Sequence, residues 1–244
     1  MVILALDTAT AVVTAGIVDL ETSRTLASRA TPDAHKHAEV LSSHVRDCLN
    51  ELSLAFTDIE AVVVGAGPGP FTGLRVGMAS GAVFANALGR PLYTACTLDA
   101  IALTAATELN EPFLVATDAR RREVYWSIHS ATGAPLTSPG VAKPSYLRTW
   151  LDGDVPDIGP GQPPVGIDQP ISMSVPRKAV GAGAVLHADS LGYADAMAVD
   201  PMPLALAQVA AAKIAAKAPN DALTPLYLRR PDAVAPNGNK SVLP

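Results

Sequence analysis

The chain has 244 residues, 49% of them hydrophobic and 17% charged, with a formal net charge of −5. That is enough apolar material for one large core or two small ones, and it excludes a disordered or fibrous chain. The acidic balance argues against a surface that binds nucleic acid unaided, and no apolar stretch approaches the roughly 18 residues needed to cross a membrane.

Val2–Asp7 reads as a buried strand ending in an acid, and the run before Asp7 is too short for the apolar centre of a secretion signal. Ala11–Asp19 reads as a second strand and Thr25–Ala30 as a third, weaker one; the short links imply an antiparallel meander. From His37 to Leu52, apolar residues recur at Ala38, Leu41, Val45, Cys48, Leu49 and Leu52, the spacing of a helix. Strand Ala61–Val64, helix Thr72–Leu88 and strand Pro91–Ala95 follow. A meander succeeded by alternating helices and strands predicts a mixed sheet covered by helices.

The run Gly65-Ala-Gly-Pro-Gly-Pro-Phe-Thr-Gly-Leu-Arg-Val-Gly77 joins the strand to the helix. Strand, Gly/Pro loop and helix make the layout of a phosphate cradle. No Lys follows the last glycine, so it is not a P-loop. The glycines continue inside the helix at Gly73, Gly77 and Gly81. Each costs about 1 kcal/mol relative to Ala, so close approach of another backbone is expected there. From Gly73 to Leu88 only Arg75, Ser80 and Asn86 are polar, which predicts a helix buried all round. One side would rest on its own sheet and the other under the 37–52 helix or under another protein.

The second half begins like the first. Phe113–Asp118 is an apolar strand ending in Asp, followed by strand Glu123–His129, and Val180-Gly181-Ala182-Gly183 echoes Val64-Gly65-Ala66-Gly67. The two matches are offset by 111 and 116 positions, in register along the chain, which suggests two related α/β units. Asp152–Pro170 reads as an irregular surface loop, Pro203–Lys217 as one Ala-rich helix with Pro at its first position, and Pro231–Pro244 as a loose tail.

Asp7 and Asp118 end the first strand of each half. In a duplicated fold of the actin, Hsp70 and sugar-kinase group such acids face a central cleft that handles Mg-nucleotide, and a Gly-rich turn after each acid lets the backbone reach phosphate. Here the turns are Asp7-Thr8-Ala9-Thr10 and Asp118-Ala119-Arg120-Arg121-Arg122, without glycine. Asp7, Thr8, Asp118, Gly181 and Gly183 therefore outline a vestigial nucleotide cleft. An ATP-using, kinase-like transferase with both acids around Mg²⁺ is the alternative function; acids that cap turns or pair with the arginines are the plainer reading. His37 and His44 stand about 10 Å apart along a helix, too far to share one ion, and Leu41 occupies the place of an i, i+4 ligand, so no metal site is expected. Cys48 and Cys96 sit among apolar residues, as reduced core thiols of a cytoplasmic protein do. Ser127 and Ser190 lie in no nucleophile elbow, which leaves a peptidase without a nucleophile and gives no catalytic residue to name.

Gly67-Pro-Gly-Pro-Phe-Thr-Gly-Leu-Arg-Val-Gly77 resembles the Gly-Pro-Gly-Ser-Phe-Thr-Gly-x-Arg-x-Gly motif of the TsaB (YeaZ) family. Asp118-Ala-Arg-Arg-Arg-Glu-Val-Tyr125 resembles the family's Asp-Ala-Arg-x-x-Glu-Val-Tyr, and Pro225-Leu-Tyr-Leu-Arg229 its Pro-x-Tyr-Leu-Arg. The opening Leu4–Thr10 and the His37-Ala38-Glu39 helix start fit as well, so the resemblance runs from the first strand to about Arg229. It implies a non-catalytic α/β protein of two tandem actin/Hsp70-like units, mixed sheets flanked by helices. Residues 1–105 would form the first unit, 106–225 a degenerate second unit whose last helix packs back on the first, and 226–244 a tail. It also implies a role in forming threonylcarbamoyladenosine beside the anticodon of tRNAs that read codons starting with A. The implied partner is the catalytic paralogue TsaD, in a heterodimer, with the ATPase TsaE docking on the pair. A homodimer forms when the chain is alone, tRNA is met through the complex, and ATP and Mg are used by the partner proteins rather than by this chain. Helices 37–52 and 72–88 would make the partner contact, through His37, Glu39, Val40, Arg75, Val76, Ala79 and Val83. Pro70 stands where the family has Ser, which would leave Thr72 to cap the helix.

Overall fold

The computed structural model describes residues 1–32, 37–154, 165–166 and 174–229, with the side chains of His37 and Ala38 outside that description. Strands β1 (Val2–Asp7), β2 (Val12–Asp19) and β3 (Arg24–Pro32) form the expected meander, and helix α1 (His37–Leu52), strand β4 (Ala61–Gly65), helix α2 (Phe71–Leu88) and strand β5 (Leu92–Ala95) follow. The sheet runs β3-β2-β1-β4-β5, with β1 antiparallel to β2 and parallel to β4, and β4 parallel to β5. Helix α3 (Thr97–Ala105) leads to β6 (Phe113–Asp118), β7 (Val124–His129), β8 (Gly140–Ala142), α4 (Pro144–Leu151) and β9 (Lys178–Val180). The second sheet runs β8-β7-β6-β9, with β6 antiparallel to β7 and parallel to β9. It repeats the order and strand directions of the first sheet's first four strands, so Asp7 and Asp118 end equivalent central strands. The fold is α/β, two tandem actin/Hsp70-like units with mixed sheets flanked by helices.

The last helices are α5 (Ala182–Leu186), α6 (Ala188–Leu191), α7 (Pro203–Val209) and α8 (Ala211–Ala215). Both faces of the first sheet are covered. Leu4, Leu6 and Val13 pack against Leu41 and Val45 of α1 and Met78 of α2. On the other face Ile3, Ala5 and Val63 pack against Leu206 and Ala210 and against Ile214 of α8. This is why β1 and β4 are continuously apolar instead of alternating. In the second unit Leu114, Ala116 and Trp126 meet Leu147 and Trp150 of α4, with the two indole rings 5.1 Å apart. The opposite face, with Phe113, Val115 and Tyr125, is closed by Leu98, Ile101 and Ala105 of α3. Each half therefore lends a helix to the other: α3 to the second sheet, α7 and α8 to the first.

The structure corrects four expectations. The Ala-rich segment is two helices, α7 and α8, joined at Ala210, where the hydrogen bond from its N–H to the Leu206 carbonyl stretches to 3.4 Å. Helix α2 is not buried all round: Gly73, Leu74, Gly77, Met78, Gly81 and Ala85 face inward, and the opposite side is open. The helix begins at Phe71 after Pro70 with no side-chain cap, so Thr72 lies within the first turn and does not cap it. Residues 226–229 are not a tail: the Leu226 N–H bonds the Ala66 carbonyl at 2.9 Å, and Arg229 donates to the Ala119 carbonyl at 3.1 Å and to Glu123. Most of the 152–170 loop and all of 231–244 lie outside the described residues.

Candidate functional site

The glycine run packs on the turn after β1. Asp7 is fully buried; its Oδ1 accepts the Ala9 N–H and its Oδ2 the Thr97 hydroxyl, each at 2.7 Å. A Cβ on Gly65 would stand 1.8 Å from Asp7 Oδ2, and one on Gly69 would stand 2.2 Å from the Ala9 carbonyl oxygen. The Thr8 hydroxyl donates to the Gly73 carbonyl at 2.7 Å, and a Cβ on Gly77 would stand 2.3 Å from that hydroxyl. A Cβ on Gly81 would lie 3.2 Å from Val64. The helix glycines thus seat α2 on its own sheet, and the close approach they allow comes from within the chain.

The corresponding turn of the second unit is close-packed in the same way. A Cβ on Gly181 would stand 2.4 Å from the Ala116 carbonyl oxygen, and one on Gly183 would stand 2.5 Å from the Thr117 carbonyl carbon. Asp118 accepts the Arg120 N–H at 2.8 Å and lies 3.5 Å from the Arg120 guanidinium, so it caps its own turn. Of the residues expected to outline a vestigial cleft, Asp7 and Thr8 are thus buried against the glycine run, Gly181 and Gly183 lie against β6, and Asp118 caps its own turn. Gly181 and Gly183 press on the β6 backbone, whereas Gly65 presses on the Asp7 carboxylate, which has no exposed surface. Among the described residues no group of three His, Cys, Asp or Glu is placed to hold a metal.

What remains open is the outer face of α2 and the hollow beside its first turn. Arg75, Ala79 and Val83 line the outward side with Val76 at its edge; Val83 is 65% exposed. On α1, Glu39 is exposed and Val40 packs partly on the first core, while the His37 side chain lies outside the described residues. Arg75 is held: its guanidinium lies 3.7 Å over the Phe71 ring, and its Nε donates to the Tyr227 hydroxyl at 3.1 Å. A hollow of about 390 Å³ opens between Gly69–Phe71, the 119–121 turn and Tyr227–Arg229. Each of these segments is legible in the sequence as a separate motif, and only the fold brings them together. The signal in the sequence is an aromatic inside each of two separate motifs, Phe71 and Tyr227.

A buried Ser/His pair also escaped the sequence. Ser127 Oγ lies 2.8 Å from His129 Nε2, His129 Nδ1 lies 3.1 Å from the Gly133 carbonyl, and Asp99 Oδ1 lies 3.8 Å from Nε2. Ser127 and His129 are fully buried, and the carboxylate approaches the same ring nitrogen as the serine, so no hydrolase geometry results.

These buried groups set the response to acid. Burial pushes His129 down from 6.5 to about 4, against the Gly133 hydrogen bond that raises it. Burial pushes Asp7 up from 3.8 to about 6, against its bonds to Thr97 and Ala9. Stability from a neutral His129 is present above about pH 6.5 and lost as pH falls toward 4. The Asp7 contribution has the opposite sign: it is present below about pH 4 and lost as pH rises through about 6. Each amounts to about 3 kcal/mol at most. Urea midpoints of Asp7→Asn are therefore expected to fall as pH goes from 6.5 to 4, and those of His129→Gln to rise. Parallel slopes in the two variants would contradict these assignments.

Residues 28–242 match the family model described as TsaD: tRNA N6-adenosine threonylcarbamoyltransferase. The uncharacterized protein Rv3421c of Mycobacterium tuberculosis is 43% identical over 232 residues, 95% of this chain and 93% of the relative. The uncharacterized protein ML0378 of Mycobacterium leprae is 41% identical over 234 residues, and the chain spans only 56% of its length. Among solved structures, YeaZ from Pseudomonas aeruginosa superposes with a TM-score of 0.71 at 25% identity, covering 93% of this chain and 99% of that one. No helix of the described residues is long and apolar enough to cross a membrane.

Proposed function

Because the chain belongs to the tRNA N6-adenosine threonylcarbamoyltransferase (TsaD) family and has the YeaZ (TsaB) form of its fold, we propose that it takes part in tRNA threonylcarbamoylation as a non-catalytic scaffold. It docks on a TsaD-type paralogue and activates that enzyme for modification of the adenosine next to the anticodon of tRNAs reading codons that start with A. A TsaE-type ATPase binds the pair, ATP and Mg are handled by these partners, and the free chain self-associates through the same surface, in the cytoplasm. The observation that carries this reading is the open side of α2: Val76, Ala79 and Val83 on a rigid helix whose inner side is locked onto β1 and β4. Exposed apolar rows of this kind mark protein contacts. The enclosed Asp7 supports an accessory role, since the acid is spent on holding the glycine run.

The test is a reconstituted reaction: TsaD-type enzyme, ATPase, the enzyme that makes the threonylcarbamoyl-adenylate donor, tRNA, ATP, bicarbonate and threonine. Product is expected to vanish when only this chain is omitted, and none should form from it without the paralogue. Unchanged product in its absence would overturn the scaffold role.

A further inference from the structure

Arg75 stands at one end of the outward row of α2, with Ala79 and Val83 following on the same side and Val83 about 12 Å away along the axis. An exposed arginine ordinarily samples many rotamers, and fixing it in one for a contact weakens that contact. Here the fold fixes it beforehand. The guanidinium carbon lies 3.7 Å from the centre of the Phe71 ring, so the planar group stacks on that ring, and Nε–H donates to the Tyr227 hydroxyl at 3.1 Å. The Phe71 and Tyr227 rings support each other, with centroids 5.1 Å apart at 27°. Tyr227 is held in turn by its neighbours in the chain. The Leu226 N–H bonds the Ala66 carbonyl at 2.9 Å, and Arg229 donates to the Ala119 carbonyl at 3.1 Å.

These contacts use Nε and one face of the group. Among the described residues no carboxylate lies within ion-pair distance of Arg75, and its terminal nitrogens, Nη1 and Nη2, have no acceptor. Two parallel N–H donors on a fixed plane match the two oxygens of a carboxylate. The rings beneath are each 44% exposed, so a partner that covers them also shields the pair from water and salt. The carboxylate cannot come from a second α2. A contact between two copies through this row would set the same side against itself, and α2 carries no acidic residue from Phe71 to Leu88. We infer that Arg75 is a preformed fork for an Asp or Glu side chain of the TsaD-type partner, and that it selects this partner over a second copy of the chain. The inference rests on the docking reading above and adds the chemistry of one end of that contact. Phe71 and Tyr227 are its positioning residues.

The test uses the full chain. Affinity for the paralogue is measured by calorimetry, self-association by sedimentation, and each variant is melted beside the parent. Arg75→Gln is expected to weaken paralogue binding about thirtyfold. Arg75→Lys, which keeps the charge but not the fork, should weaken it about tenfold, and Tyr227→Phe, which frees Nε, about threefold. Self-association should stay as in the parent. Raising salt from about 50 to about 300 mM should weaken binding by the parent, Arg75→Lys and Tyr227→Phe more than binding by Arg75→Gln, a difference that a purely structural role would not produce. Arg75→Glu should be rescued when one acidic residue of the paralogue is changed to Lys, and that same residue changed to Gln should weaken binding by the parent chain, whose fold is untouched. Full-strength binding by Arg75→Gln, or no rescue by any acidic residue of the paralogue, overturns the fork and leaves the scaffold reading standing. Equal losses in self-association and in paralogue binding overturn the selection between them. A parent chain that does not bind the paralogue overturns the scaffold reading and this inference together.

Discussion

Val83→Asp is expected to lower affinity for the proposed TsaD-type partner by roughly thirtyfold or more, the scale of a central interface residue, while leaving the free chain folded. Val83 is 65% exposed, so its carboxylate replacement stays hydrated in the free protein, where surface changes are worth about 0.5 kcal/mol or less. In a docked complex the same carboxylate loses water with nothing to compensate. Ala79→Glu, one turn earlier on the same side, should act alike. Calorimetric titration with the paralogue, beside a melting curve of each variant, measures both halves of the expectation. Full-strength binding by both variants would place the interface elsewhere.

Gly65→Ala is expected to cost about 3 kcal/mol or more, a drop in melting temperature of roughly 6–12 °C for a chain of this size. The new methyl would stand 1.8 Å from Asp7 Oδ2 and 2.7 Å from its Cγ. Asp7 cannot swing away, because Ala9 and Thr97 hold both oxygens and the residue has no exposed surface. Removing the carboxylate should relieve the clash, so Gly65→Ala/Asp7→Ala is expected to be more stable than the sum of the two single losses predicts. Simple additivity in denaturant midpoints would show that the clash is not the cause.

The same pair of residues shows what could be read from sequence. The apolar runs ending in Asp7 and Asp118, and the two Gly-Ala-Gly turns, located equivalent strands in two units, and the sheets repeat each other in order and direction. Helix 37–52 was found with its observed ends because its apolar spacing is local, and helix 72–88 fell one residue short at its start. Short helices such as 97–105 and 182–186 were not found. The apolar residues of 97–105 serve contacts with the other unit, and 182–186 has too few turns to show a period. The row on α2 proposed to meet a partner is legible as apolar residues, but which of them face outward depends on where Thr8 and Val64 meet the helix.

By itself the sequence determined the duplicated α/β plan and the family motifs, because strand alternation, helical spacing and turn glycines are local properties of the chain. Only the tertiary structure decided the fate of the glycine run and of the acids. Gly65, Gly69 and Gly77 carry the same pattern whether they cradle a phosphate or admit a neighbouring side chain, and it is the approach of Asp7, Ala9 and Thr8 that makes them packing residues. The hollow of Phe71, Arg120, Arg121 and Tyr227 likewise exists only because residues 219–229 cross back over the first unit, anchored at Leu92, Ala66 and Ala119, and bring together motifs more than a hundred residues apart.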